Sequence, residues 1–148
     1  MARWFPQPSG DVYEATQRFR AGHTFGRAPF DELFMLGVER DNDLWLRGLI
    51  GTRDGRKGSS PLGDSYALSN TDLQRRFYSN GLLTIRAGPW LDMGRAYAPA
   101  DSLSPRQWLV SAGAEARFTV LGTGVVLTYG HDLRSGTNAV YATVARHQ

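Results

Sequence analysis

The chain has 148 residues, 41% of them hydrophobic and 21% charged, with no cysteine and a formal charge of +3. That length holds one domain of ordinary composition; the missing cysteines exclude a disulfide framework or a thiolate metal site, and so mild and scattered a basicity excludes the charged stripe of a nucleic-acid partner. No stretch approaches the roughly 20 consecutive apolar residues of a membrane-spanning helix, and Pro6, Pro8 and Ser9 interrupt the N-terminal segment where a secretory signal would carry its apolar run. Two classes remain, a soluble domain or a β-barrel, whose alternating pattern escapes hydropathy averaging.

In chain order, the first regular segment is Tyr13 to Gly26, which sets Tyr13, Ala15, Phe19, Ala21 and Phe25 against Glu14, Thr16, Arg18, Arg20 and Thr24. Alternation with a period of two is the signature of a strand with one apolar and one polar face. Arg27 to Gly63 follows, rich in Arg, Asp and Gly and without a sustained period. Loops of this length are functional or disordered far more often than incidental. Tyr66 to Phe77 shows a defined polar face of Asn70, Asp72, Gln74 and Arg76, with a weaker apolar one.

Leu82 to Tyr97 places Leu83, Ile85, Ala87, Leu91, Met93 and Tyr97 opposite Thr84, Arg86, Gly88, Asp92 and Gly94. Pro89 falls on the apolar side and lacks an N–H, which predicts a bulge, a bend or a shorter strand there. Trp108 to Gly122 is the cleanest segment: Trp108, Val110, Ala112, Ala114, Ala116, Phe118 and Val120 alternate with Ser111, Gly113, Glu115, Arg117 and Thr119. It is longer than the five or six residues usual in soluble sheets and fits the roughly 9 to 11 of a tilted membrane strand. Trp108 and Phe118 would then mark two aromatic girdles about 25 Å apart. Gly124 to Leu133 and Ala139 to Arg146 are the fifth and sixth strands, joined by a turn through Arg134, Ser135, Gly136, Thr137 and Asn138.

Other constellations do not assemble. Gly51 to Ser60 lacks the Gly-Lys-Ser/Thr order of a phosphate loop, His23, His131 and His147 lack the spacing of zinc ligands, and no Gly-x-Ser-x-Gly elbow is present. No catalytic residue, metal or cofactor is therefore expected.

The order of the motifs carries more. Pro29-Phe30-Asp31-Glu32-Leu33-Phe34-Met35-Leu36-Gly37, followed by Leu46-Arg47-Gly48, resembles the loop signature of the BamA-type outer-membrane assembly factors, the bacterial surface antigen family. Trp90-Leu91-Asp92-Met93-Gly94 is similar to that family's aromatic-x-Asp-x-Gly strand. Ser111-Ala112-Gly113-Ala114-Glu115-Ala116-Arg117, with Tyr129-Gly130 after it, is similar to its penultimate hairpin. Leu49 stands where the Arg-Gly tetrad normally ends in an aromatic, and the chain closes on Arg146-His147-Gln148 without a terminal aromatic.

The resemblance implies an all-β antiparallel meander of about six long amphipathic strands, the C-terminal portion of a sixteen-stranded transmembrane β-barrel, with residues 27–63 as a loop folded into the lumen and no separate soluble domain in 1–148. It implies a non-enzymatic role at the bacterial outer membrane, inserting or translocating proteins. The expected partners are outer-membrane lipid, unfolded or secreted protein substrates, and the missing N-terminal strands and soluble repeats of a longer chain. It makes Arg47 the cation that reaches the barrel wall, with Leu46 and Gly48 beside it. Asp92 is its partner and Asp72 a second candidate; Glu32, Gly37, Gly94 and Gly113 are the remaining motif positions. Both aspartates also fall on the polar faces of their strands. Three alternatives stand beside this reading: a partner-specific secretion pore of the same fold, a soluble ligand-binding β-sandwich or small barrel, and a fragment without function alone.

Overall fold

The computed structural model describes residues 2–4, 12–26, 29, 32–39, 42–53, 56–57, 60–97 and 107–146. In chain order the strands are β1 (Ala2–Trp4), β2 (Tyr13–His23), β3 (Phe34–Met35), β4 (Thr52–Arg53), β5 (Arg56–Lys57), β6 (Leu62–Gly63), β7 (Ser65–Ser79), β8 (Leu83–Tyr97), β9 (Leu109–Val120), β10 (Thr123–Asp132) and β11 (Asn138–Arg146). The six segments with a period of two form the six long strands of one antiparallel sheet, ordered β1-β2-β7-β8-β9-β10-β11. The short β1 pairs with Ala15 to Gln17 of β2 and has no counterpart in the sequence reading. No described residue lies in an α-helix, and no helix is long and apolar enough to cross a membrane.

Local chemistry sets the strand ends. β2 stops at His23, where the Thr24 N–H turns to the Asp64 carbonyl (2.8 Å) and Gly26 takes a positive φ. Trp108 stands one residue before β9, whose last pair with β8 is Leu109 with Gly94, so it lies outside the strand in which it was expected. Leu121 and Gly122, both at positive φ, close the two-residue hairpin between β9 and β10. Gly136 supplies the positive φ of the turn into β11.

β8 runs unbroken through Pro89. The missing N–H is accommodated on one side only: Pro89 stays paired with Ala114 of β9, while Leu73 and Gln74 drop out of the ladder with β7. Gly88 permits this, because a Cβ there would lie 1.8 Å from the Leu73 carbonyl oxygen. The bulge itself falls on β7, between Arg76 and Tyr78.

The two faces of the sheet differ sharply. One is covered by the segment between β2 and β7, whose Leu36, Leu44 and Leu46 form the core with Leu68, Ala96 and Leu109 of the sheet. Each leucine buried this way contributes about 1.5–3 kcal/mol. The opposite, open face exposes Phe19, Leu73, Leu91, Met93, Val125, Leu127, Tyr129, Val140 and Val144. A cavity of about 460 Å³ on the covered face is lined by both Arg18 of β2 and Tyr141 of β11. On a flat sheet those strands, five places apart, would stand roughly 24 Å from each other at about 4.8 Å per strand. The sheet therefore curves around the loop.

Candidate functional site

The loop is built from its own short-range bonds. Asn42 organises it: its amide donates to the carbonyls of Met35 and Gly37 (2.8 Å each), and its Oδ1 accepts the Leu44 N–H (3.1 Å). Leu46 to Leu49 then close as a turn through the Leu49 N–H to the Leu46 carbonyl (2.9 Å), which puts Arg47 and Gly48 at its tip. Asn70 of β7 holds the neighbouring Trp45 carbonyl (2.9 Å), and the Trp45 ring stands edge-on to Tyr141 of β11 with centroids 6.1 Å apart.

The tip lies directly on the sheet because glycines meet there. A Cβ on Gly48 would lie 2.7 Å from the Ser111 side chain, and one on Gly130 would lie 2.5 Å from the Arg47 carbonyl oxygen. Absence of side chains at these positions lets backbone touch backbone.

Arg47 reaches the sheet at this point. Its Nε donates to Asp92 Oδ2 (2.9 Å) and its Nη2 to Asp92 Oδ1 (2.7 Å), a two-pronged pair. Its backbone N–H also donates to Asp92 Oδ2 (2.9 Å). Nη1 donates to Asp72 and, at 3.5 Å, to Glu115 Oε2. The guanidinium carbon sits 4.4 Å from the centroid of the Trp90 ring. Asp92 is fully buried, while Asp72 keeps contact with solvent. Burial works against the charge on Arg47, but the Asp92 hydrogen bonds and the charges of Asp92 and Asp72 outweigh it, so its proton is held more tightly than in water.

Three acids from three strands thus converge on one cation, and Glu115 is itself held by Gln74 (2.9 Å) and Arg117 (3.1 Å). A planar guanidinium suits this role, since its fixed donors engage three carboxylates and its face lies over the indole, where an ammonium would offer a point charge. The chemistry on offer is a clamp that fixes the loop to the sheet.

The structure brings Leu46, Arg47, Gly48, Asp92 and Asp72 together. Gly94 lies beneath the Leu46 and Leu36 side chains, and Gly113 beneath the Trp90 ring. Gly37 is buried against Ser60, where its N–H donates to the Leu44 carbonyl (3.1 Å). Glu32 is exposed, its N–H on the Pro29 carbonyl (3.0 Å), while Phe30 and Asp31 lie outside the described residues. Phe118 belongs to the other face of the sheet, and Trp108 is exposed just before β9. Leu49, in the aromatic's place, packs against the leucine core. Glu115 and Trp90 were missed as partners of Arg47; their places on the polar faces of β9 and β8 were the available signal. No family model, curated protein or solved structure matches the chain.

Proposed function

We propose that this chain is the C-terminal part of an outer-membrane β-barrel of the BamA-like kind, which inserts or translocates other proteins at the bacterial outer membrane. The observation that carries the reading is a segregation of charge. The six long strands contain five acidic residues, Glu14, Asp72, Asp92, Glu115 and Asp132, and all five alternate onto the loop-covered face. The open face is predominantly apolar. A soluble sandwich buries its apolar face against a second sheet; among the described residues the only other sheets are two two-stranded ribbons of the loop region. An apolar exterior around a polar, plugged interior is the arrangement of a barrel in lipid.

The connections support the same reading. At one end of the sheet the strands join through Asn80 to Leu82 and through Leu121 and Gly122; at the other, residues 24–64, 98–108 and 133–137 intervene, the first two of them long. Short turns at one rim and long loops at the other are the habit of outer-membrane barrels. In this reading Arg47 pins the long loop inside the lumen, and the work on client proteins is done at a barrel seam rather than by a reactive side chain.

Depletion of the full-length protein in its own bacterium, with proteomics of the outer membrane, tests the proposal. A fall in many unrelated barrel proteins is expected. Loss of one secreted protein alone would point to the partner-specific pore, and an unchanged outer membrane and secretome would overturn both.

A further inference from the structure

Two arginines, one on β7 and one on β8, break the apolar pattern of the open face, and their positions are informative. Arg75 of β7 lies between two aromatic rings, its guanidinium 5.5 Å from the centroid of Tyr13 and 5.4 Å from that of Phe77. Arg95 of β8 lies over Tyr97 at 4.4 Å. Among the described residues no carboxylate pairs with either, and Arg95 Nε is enclosed without a hydrogen-bond partner. All five strand carboxylates face the other way, so no strand carboxylate shares the open face with these cations.

Their separation is the second observation. Arg95 pairs with Ala67, and Ala67 and Arg75 stand eight positions apart on β7. Eight residues at about 3.3 Å span about 26 Å, or about 20 Å of height for a strand tilted by about 40°. Between these levels β8 presents Pro89, Leu91 and Met93 outward. Arginine stems extend along apolar surface and carry the charged head outward, which adds a few ångströms at each rim and brings the span to about 25 Å, the height of an outer-membrane apolar band.

We propose that Arg75 and Arg95 bind the phosphates of lipid headgroups in the two leaflets, and that these two contacts fix the depth of the sheet in the bilayer. The inference rests on the barrel reading above and adds to it a lipid phosphate site at each rim. The Tyr13 and Phe77 rings beside Arg75 and the Tyr97 ring beside Arg95 place each guanidinium at the edge of the hydrocarbon, where an interfacial aromatic is at home and a phosphate oxygen is within reach.

The chain has no cysteine, so a single fluorophore at Leu91→Cys, midway between Ala87 and Arg95, reports depth directly. The full chain is reconstituted in phosphatidylcholine vesicles carrying bromine near the headgroup or near the bilayer centre. Deep quenching is expected to dominate in the parent. Replacing both arginines by glutamine is expected to shift quenching towards the shallow bromine, while the double replacement by lysine, which keeps the charge, holds the parent profile. A parent quenched by neither lipid would overturn the membrane reading itself. A parent quenched deeply, with a glutamine variant of unchanged profile, would overturn the phosphate sites alone.

Discussion

Arg47 and Asp92 meet as two forks, with Nε on Oδ2 at 2.9 Å and Nη2 on Oδ1 at 2.7 Å, and the same carboxylate also takes the Arg47 backbone N–H. Side chain and main chain of the loop tip are thereby tied to one residue of β8 that has no exposure to solvent. Replacing Arg47 by alanine leaves that carboxylate buried and unpaired and is expected to cost about 3–5 kcal/mol. Arg47→Lys keeps the charge but loses the second prong and the stack on Trp90, for an expected cost of about 2 kcal/mol. Denaturant unfolding of the protein in detergent micelles measures both. A second substitution, Asp92→Asn, should recover part of the alanine loss; wild-type stability of both single variants would mean that the loop is held by its leucines alone.

Glu115 is the weaker anchor. It meets Arg47 only at 3.5 Å and divides itself between Gln74 and Arg117. Glu115→Gln is expected to cost about 1 kcal/mol, well below the cost of Asp92→Asn, in the same unfolding assay. A loss equal to that of Asp92→Asn would make the three acids one cooperative unit.

The glycine contact offers a test of loop docking without any change of charge. A Cβ on Gly130 would collide with the Arg47 carbonyl. Gly130→Ala should cost about 1–3 kcal/mol, as overpacking does. An unchanged denaturant midpoint would mean that the tip tolerates displacement and that the close approach is incidental.

These contacts also show how far the sequence alone reaches. A period of two depends only on neighbours along the chain, so it located all six long strands and the faces of four of them, including Asp92 and Asp72 on the covered side. The loop has no such local code. Leu36, Leu44 and Leu46 become a core only because β7, β8 and β9 bring Leu68, Ala96 and Leu109 beneath them. Arg47 was legible through the order of motifs, whereas Glu115, 68 positions away in sequence, looked like one polar residue among several. Pro89 predicts a bulge, a bend or a shorter strand at its own position; the ladder shows it tolerated in an unbroken β8, with the bulge on the neighbouring strand at Phe77.

Leu121 occupies a conformation that suits it poorly. It sits at φ 48° in the hairpin between β9 and β10, with 78% of its surface exposed. Two-residue hairpins of this hand favour Asn-Gly, because a branched side chain pays about 1–2 kcal/mol in the left-handed region. Leu121→Asn is expected to raise stability by about 1 kcal/mol, seen as a higher denaturant midpoint with an unchanged slope. A fall in stability would show that the exposed leucine gains more from its surroundings, such as a lipid interface, than it loses in strain.

Depth dependence gives the open face its strictest test. Leu91 lies four positions from both Ala87 and Arg95 on β8, whereas Leu83 begins the same strand at the short-turn rim. If this face meets lipid, an arginine introduced at Leu91 must carry its charge near the bilayer centre, and one at Leu83 reaches the headgroups at once. Leu91→Arg should then cost about 2–4 kcal/mol in vesicles and Leu83→Arg about 0–1 kcal/mol. In water both sites are partly exposed, and surface substitutions of this kind stay within about 0.5 kcal/mol of the parent. Unfolding from vesicles separates the cases. A graded loss places the face in hydrocarbon, while two equal and small losses would mean that the apolar side of this sheet has some other neighbour than lipid.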